Sequence, residues 1–221
     1  VTASHATQFN LEMPFGKGLI VSGNNRFYAL DKKQFREFTT FLRGVLFNGK
    51  EDDLLSFLNR IKAPVIETRP VPAVWVAAGN CLIGDAKKTK NSMAVTALSR
   101  YGFNQLVGYT VPSWYGKGGW GTLGLLFSNH DASSLAEAWY LNNQFILDET
   151  MTRFPKLMDV HFNSPDINGI KDDPDFARGM NSAGYGMGKD QLGLIHDRDT
   201  VAFYGDPAWT ARLDESRAPS P

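Results

Sequence analysis

The chain of 221 residues carries 23 Lys+Arg against 23 Asp+Glu, a formal net charge of zero, with 43% hydrophobic and 21% charged residues. A neutral balance gives neither a nucleic-acid footprint nor a polybasic membrane anchor, and no apolar run approaches the roughly 20 residues needed to cross a bilayer. The length suits one large domain with a proper core, or a domain plus an appendage.

The first residues, Val1-Thr2-Ala3-Ser4-His5, have no initiator methionine and neither the basic flank nor the apolar stretch of a signal peptide, so the chain reads as a mature, cleaved or excised piece. Val1 to Ala3 is a short strand-like stub. Phe9 to Tyr28, rich in Gly and Asn, predicts loops or a hairpin around Gly23-Asn24-Asn25. From Asp31 to Ile61 the helical period returns, first in Phe35, Phe38, Phe41, Leu42 and Val45, then in Leu54, Leu55, Leu58 and Ile61. Asp52 and Asp53 suit the start of the second run, where carboxylates favour the helix dipole. Pro-rich Ala63 to Pro72 is a connector.

Val74-Trp75-Val76-Ala77-Ala78-Gly79 alternates and ends in small residues, the pattern of a strand running into a loop that carries Cys81. Ser92 to Tyr101 predicts a helix stopped by Gly102, and Asn104 to Val111 a second core strand ended by Pro112. Ser113 to Thr122 sets Trp114, Tyr115 and Trp120 among glycines, which fits a binding platform or aromatics packed under a glycine-rich loop. Ser133 to Met151 predicts a helix capped by Ser133, with Leu135, Ala138, Trp139, Leu141, Phe145 and Ile146 on its apolar side. The remainder reads as loop-rich until the strand Val201 to Tyr204 and its Gly205-Asp206-Pro207 turn, and the tail 214–221 reads as disordered. This alternation predicts an α/β sheet between helices, with strands upstream of Val1 lacking from this piece.

A lone cysteine packs or reacts, and it fits a cytosolic protein as well as a secreted bacterial one. Cys81 and His5, 76 positions apart, each follow a strand-like segment. If those segments lie side by side in parallel, both side chains emerge at the carboxyl edge, where chemistry collects in open α/β sheets. An imidazole near a thiol raises its thiolate fraction, and N–H groups just after the strands can face a tetrahedral oxyanion. Gly79 and Gly84 flank the cysteine and allow close backbone approach.

Ala78-Gly79-Asn80-Cys81-Leu82-Ile83-Gly84-Asp85 resembles the cysteine block of gingipain-type peptidases, in the caspase-like (caspase–hemoglobinase) superfamily. Ser4-His5-Ala6 is similar to the histidine block, Val107 to Trp114 to the strand after the nucleophile, and Phe203 to Ala208 to the closing Gly-Asp-Pro strand. The resemblance covers about 1–213 and departs from the pattern at Ala6, where glycine is usual, and at Asn80, where alanine is commoner. Residues 148–200 match nothing in it and form a loop-rich insertion.

The resemblance implies a three-layer caspase-like sandwich with a mainly parallel sheet, here without its first strands, and a cysteine endopeptidase acting on peptide or protein substrates. It implies Cys81 as nucleophile, His5 as donor to the leaving amine, and the Ala6 and Cys81 amides as oxyanion hole. Thr110, Ser113 and Trp114 become candidates for the P1 pocket wall. A secreted or periplasmic bacterial setting and structural calcium also follow. The acidic loop Asp166 to Asp175 offers Asp166, Asn168 and Asp172 as calcium ligands, although it lacks the terminal glutamate of an EF-hand and fits a solvated loop. No other cofactor is implied. Two alternatives stand beside the peptidase: a catalytically inactive binding or assembly module, and a cysteine amidase or transpeptidase. His130, His161 and His196 share no metal-ligand spacing and read as surface or structural residues. Phe15-Gly16-Lys17-Gly18 is no phosphate-binding loop, and Ser4 and Ser113 lack the setting of a serine nucleophile.

Overall fold

Asn24 and Asn25 both take positive φ, 48° and 53°, the conformation a two-residue hairpin turn requires. They join β3 (Gly18–Gly23) to β4 (Arg26–Asp31), with Gly23 opposite Arg26. With β1 (Ala6–Thr7) and β2 (Asn10–Glu12) these strands form a four-stranded antiparallel sheet in the order β1-β2-β3-β4. The computed structural model describes residues 1–2, 4–13, 17–45, 51–68, 72–86, 91–113, 115–128, 134–162, 174–185 and 188–210.

Two helices, α1 (Lys32–Val45) and α2 (Glu51–Arg60), cover one face of this sheet. Leu19, Val21, Tyr28 and Leu30 meet Phe38, Phe57 and Leu58 there. Each such fully buried side chain contributes roughly 1.5–3 kcal/mol. Helix α2 begins at Glu51, earlier than the sequence pattern placed the start, so Asp52 and Asp53 fall inside its first turn.

The second sheet holds β5 (Ala73–Val76), β6 (Phe103–Tyr109) and β7 (Val201–Gly205), in that order. Between β5 and β6 runs α3 (Met93–Arg100), whose N-cap Ser92 accepts from the Val95 amide. The β5 alternation buries both faces. Trp75 and Ala77 pack with Met93, Ala94 and Ala97 of α3 and with Leu11 and Phe27 of the first sheet. Val76 and Ala78 turn the other way, toward Leu123 and Leu126 of α4 (Lys117–Ser128) and Leu135 and Ala138 of α5 (Leu135–Arg153). A 3-10 turn (Pro155–Asp159), α6 (Pro174–Ala183) and α7 (Lys189–Thr200) enclose a further core around Phe162, Phe176 and Ile195.

The fold is therefore mixed α/β, but the expected mainly parallel caspase-like sheet is not what forms. One sheet is antiparallel throughout, and in the other β5 and β6 are parallel while β7 runs against β6. The connection from β6 to β7 holds four helices and is long enough for a crossover, so the direction of β7 is set by α7, which ends at Thr200 and delivers the chain straight into the sheet at Val201.

Other expectations shift as well. The glycine-rich stretch after Tyr115 is the start of α4, because its glycines let the helix sit close to its neighbours. A Cβ on Gly119 would lie 2.2 Å from the Ala78 carbonyl oxygen. Residues 148–200, expected as a loop-rich insertion, hold the end of α5 together with α6 and α7. Leu141 and Phe145, expected on the apolar side of α5, are exposed, because the face toward α4 is built by Leu135, Ala138, Asn142 and Ile146. The α5 cap is Ser134, with the Glu137 carboxylate returning to its amide in a capping box, while Ser133 lies outside the described residues. The tail 214–221 also lies outside them. No described helix is long and apolar enough to cross a membrane.

Candidate active site

The stub at the chain start lies beside β5, as the side-by-side arrangement requires. Thr2 forms a parallel bridge with Ala77, and its amide donates to the Val76 carbonyl at 3.0 Å. Both segments thus run the same way and leave the sheet at the same end. The Trp75 indole donates to the Thr2 hydroxyl at 2.8 Å, that hydroxyl donates to Asn80 Oδ1, and Asn80 Nδ2 donates to the Ser4 carbonyl at 2.7 Å. His5 and Cys81 each follow directly on one of these anchored residues.

Cys81 is half-buried, in a turn that ends at Gly84. Leu82 takes φ 59°, a left-handed conformation that costs a branched side chain about 1 kcal/mol or more. That turn is pinned to the end of β6, with the Leu82 amide donating to the Val111 carbonyl at 3.2 Å and the Gly84 amide to the Tyr109 carbonyl at 2.9 Å. A Cβ on Gly84 would stand 2.4 Å from the Gly108 oxygen, so the approach is open only to glycine.

Ser113 occupies the sulfur. Its amide donates to Cys81 Sγ at 3.4 Å, and its hydroxyl lies 3.6 Å from the same atom. His5 is exposed, and no hydrogen bond joins its ring to the sulfur among the described residues. Of the expected pocket wall, Thr110 is half-buried with its hydroxyl donating to the Thr200 carbonyl at 3.1 Å, and Trp114 lies outside the described residues.

The backbone donors are placed by the strands. Glu12 donates to the His5 carbonyl at 2.9 Å, one hydrogen bond beyond the Ala6–Leu11 end of the β1–β2 pairing. Ala6, opposite Leu11, occupies the next, non-bonded position, and its N–H faces away from β2 on the outer edge of the sheet. Ala6 is extended, so its Cβ adds no backbone strain. The Cys81 amide meets no acceptor among the described residues.

A second polar cluster, which the sequence does not announce, sits behind the Ser113 loop. Asp197 is fully buried, and its Oδ2 accepts from the Gly118 amide at 2.8 Å and the Tyr109 hydroxyl at 3.0 Å. Its Oδ1 lies 2.8 Å from His196 Nδ1. The Tyr109 hydroxyl in turn accepts from the Gly119 amide at 3.1 Å. A carboxylate at the first turn of α4 complements the helix dipole. Burial, then the Asp197 charge, pushes the Tyr109 hydroxyl well above its ordinary range, and the same two causes raise Tyr115. Tyr115 meets the His196 ring edge-on at 5.5 Å, so the cluster backs the loop that carries Ser113. His196 is buried and His161 is exposed.

Among the described residues no group of three or more His, Cys, Asp or Glu side chains could hold a metal ion. The calcium candidates Asp166, Asn168 and Asp172, and His130, lie outside the described residues. Comparison with known proteins brings no match: no family model, no curated protein and no solved structure matches the chain. Sequence reasoning noted Asn80 only as a departure from alanine and passed over Asp197. The signal at Asn80 was a polar residue among small and apolar neighbours, whereas Asp197 stands in the charged run Asp197-Arg198-Asp199 and gave none.

Proposed function

We propose that the protein is a cysteine-dependent hydrolase of peptide bonds, of the gingipain-like kind, with Cys81 as nucleophile and His5 as its proton donor. The observation that carries this reading is the parallel bridge between Thr2 and Ala77, which supports a common edge for two side chains 76 positions apart in sequence. The half-burial of the thiol, the donors around it and the strained turn at Leu82 are further support, since backbone strain gathers at working sites.

In this reading the Cys81 thiolate attacks the peptide carbonyl carbon, forming a C–S bond and moving the π electrons onto oxygen. The Cys81 and Ala6 amides receive that oxyanion. As the tetrahedral carbon collapses, the C–N bond breaks and His5 gives its proton to the departing amine. Water then attacks the thioester, one proton returns to the imidazole, and the thiolate leaves the acid product. An exposed His5 is compatible with this cycle, because catalytic contacts of an unliganded site commonly tighten only around substrate. Thr110, Ser113 and Trp114 would border the P1 side chain, and calcium would be a structural ion at the acidic loop.

The test is the rate of Cys81 alkylation by iodoacetamide from pH 5 to 9 in the parent and in His5→Ala. A thiol that reacts readily near pH 7, with a profile that changes when His5 is removed, supports the pair and directs a search through peptide amides. Adding amine acceptors to that search separates hydrolysis from transpeptidation. A thiol that resists alkylation in the folded protein, with no dependence on His5, assigns the chain to the binding or assembly alternative.

A further inference from the structure

Asn80 is fully buried, and a buried amide is tolerated when its donors and acceptor are engaged. Among the described residues, all of its side-chain hydrogen bonds go to the segment that leads into His5. The Thr2 hydroxyl donates to Oδ1, while Nδ2 donates to the Ser4 carbonyl at 2.7 Å and reaches the Ser4 hydroxyl at 3.4 Å. Beyond these, the Trp75 indole donates to Thr2 at 2.8 Å and the Ser4 hydroxyl donates to the Glu12 carbonyl at 2.7 Å. The chain is directional, from Trp75 through Thr2, Asn80 and Ser4 to Glu12. Each hydroxyl in it donates once and accepts once. It starts on β5 and ends on β2, and it passes through the residues immediately before Cys81 and before His5.

We propose that Asn80 is a positioning residue that sets the separation of His5 and Cys81. This rests on the reading of those two as a working pair. The direction of the chain makes the requirement chemical rather than steric. At position 80 the inner atom must accept from Thr2 and the outer atom must donate to Ser4, which an amide does and a carboxylate of the same shape does not. Aspartate there would set an oxygen against the Ser4 carbonyl oxygen. Alanine would leave the Ser4 carbonyl and the Thr2 hydroxyl without this partner.

Alkylation by iodoacetamide from pH 5 to 9 is measured for the parent and Asn80→Asp, each with and without His5→Ala, alongside urea unfolding of all four. The expected result is that removing His5 changes the parent profile, and that this dependence is lost in the Asn80→Asp background while the protein remains folded. A merely structural role would lower the unfolding midpoint and leave the His5 dependence intact. That outcome overturns the proposal. If His5→Ala leaves the parent profile unchanged, the pairing of His5 with Cys81 itself fails, and the positioning role falls with it. Should Asn80→Asp not fold, Thr2→Val takes its place, since it removes the two hydrogen bonds of a half-buried hydroxyl and leaves those between Asn80 and Ser4. Its expected result is a weakened His5 dependence, and an undiminished one counts against the proposal.

Discussion

Asn80 donates to the carbonyl of Ser4 at 2.7 Å, so the residue before the cysteine holds the residue before the histidine. A polar residue among small and apolar neighbours thus has a structural use in this chain. It also explains why a segment with a single bridge to β5 keeps its place. Thr2 gains two further side-chain bonds there, from Trp75 and to Asn80.

Gly84→Ala is expected to damage the site and the fold together. The new methyl would meet the Gly108 oxygen at 2.4 Å, a contact with backbone that no rotamer relieves. Overpacking of this kind costs about 1–3 kcal/mol. Because Gly84 also donates to Tyr109, the Cys81 turn moves with it. Urea unfolding should show a lower midpoint, and alkylation of the folded protein should change. A variant equal to the parent in both would mean the turn is not held by this approach.

Ser113→Ala separates the two contacts on the sulfur. The amide at 3.4 Å remains and the hydroxyl at 3.6 Å is lost. One hydrogen bond of about 1 kcal/mol corresponds to roughly a fivefold change in rate. The alkylation rate at pH 7 should therefore fall by about that factor, with Ser113→Thr restoring it. A rate that rises instead would mean the serine shields the sulfur.

Much of the second sheet was legible because its strands obey a period of two and its turns carry glycine or proline. Val74 to Ala78 alternates between two cores, and Ser92 caps α3 where the pattern put its start. Helix α4 was hidden by Gly118, Gly119, Gly121 and Gly124, which lower helix propensity, while Gly119 is needed against the Ala78 carbonyl. Helix α7 was hidden by its charges, since Asp197 reads as solvated yet is buried on Tyr109 and α4. The direction of β7 follows from how α7 packs, which no local pattern encodes. The parallel course of the Thr2 segment beside Ala77 was legible, because it needs only two strand-like segments ending alike. The bonds of Asn80 were not, because they join residues 76 or more positions apart.

Tyr109 should make the protein sensitive to alkali. Its hydroxyl is held above its ordinary value near 10 by burial and by Asp197. The native state therefore keeps a proton that the unfolded chain releases above that pH, and the stabilisation present below pH 10 is lost as pH rises. The slope from this one group approaches about 1.4 kcal/mol per pH unit. Tyr109→Phe loses the bonds to Asp197 and Gly119 and should be less stable than the parent at pH 8. Urea unfolding between pH 8 and 11.5 should show that gap closing above pH 10. A gap of constant size would mean that Tyr109 does not control the alkaline limb.

Asp197 gives a sharper pair of variants, because its two oxygens have different duties. Oδ2 accepts from Gly118 and Tyr109, while Oδ1 faces His196 Nδ1, which must carry a proton to bond a carboxylate. Alanine removes the acceptor for all three donors in a buried setting, where each donor left unsatisfied costs about 1–3 kcal/mol. Asparagine can keep its carbonyl oxygen at the Oδ2 position and present its amide to His196, whose proton then moves to Nε2. Nε2 has no hydrogen-bond partner in the parent among the described residues, so the rearranged ring loses little by exchanging a lone pair for an N–H. Asp197→Asn should cost only about 1–2 kcal/mol. Nitrogen NMR of His196 should then report the proton on Nε2 in place of Nδ1. Equal destabilisation by alanine and asparagine, with an unchanged tautomer, would mean that the negative charge at the α4 N-terminus is the dominant contribution of Asp197.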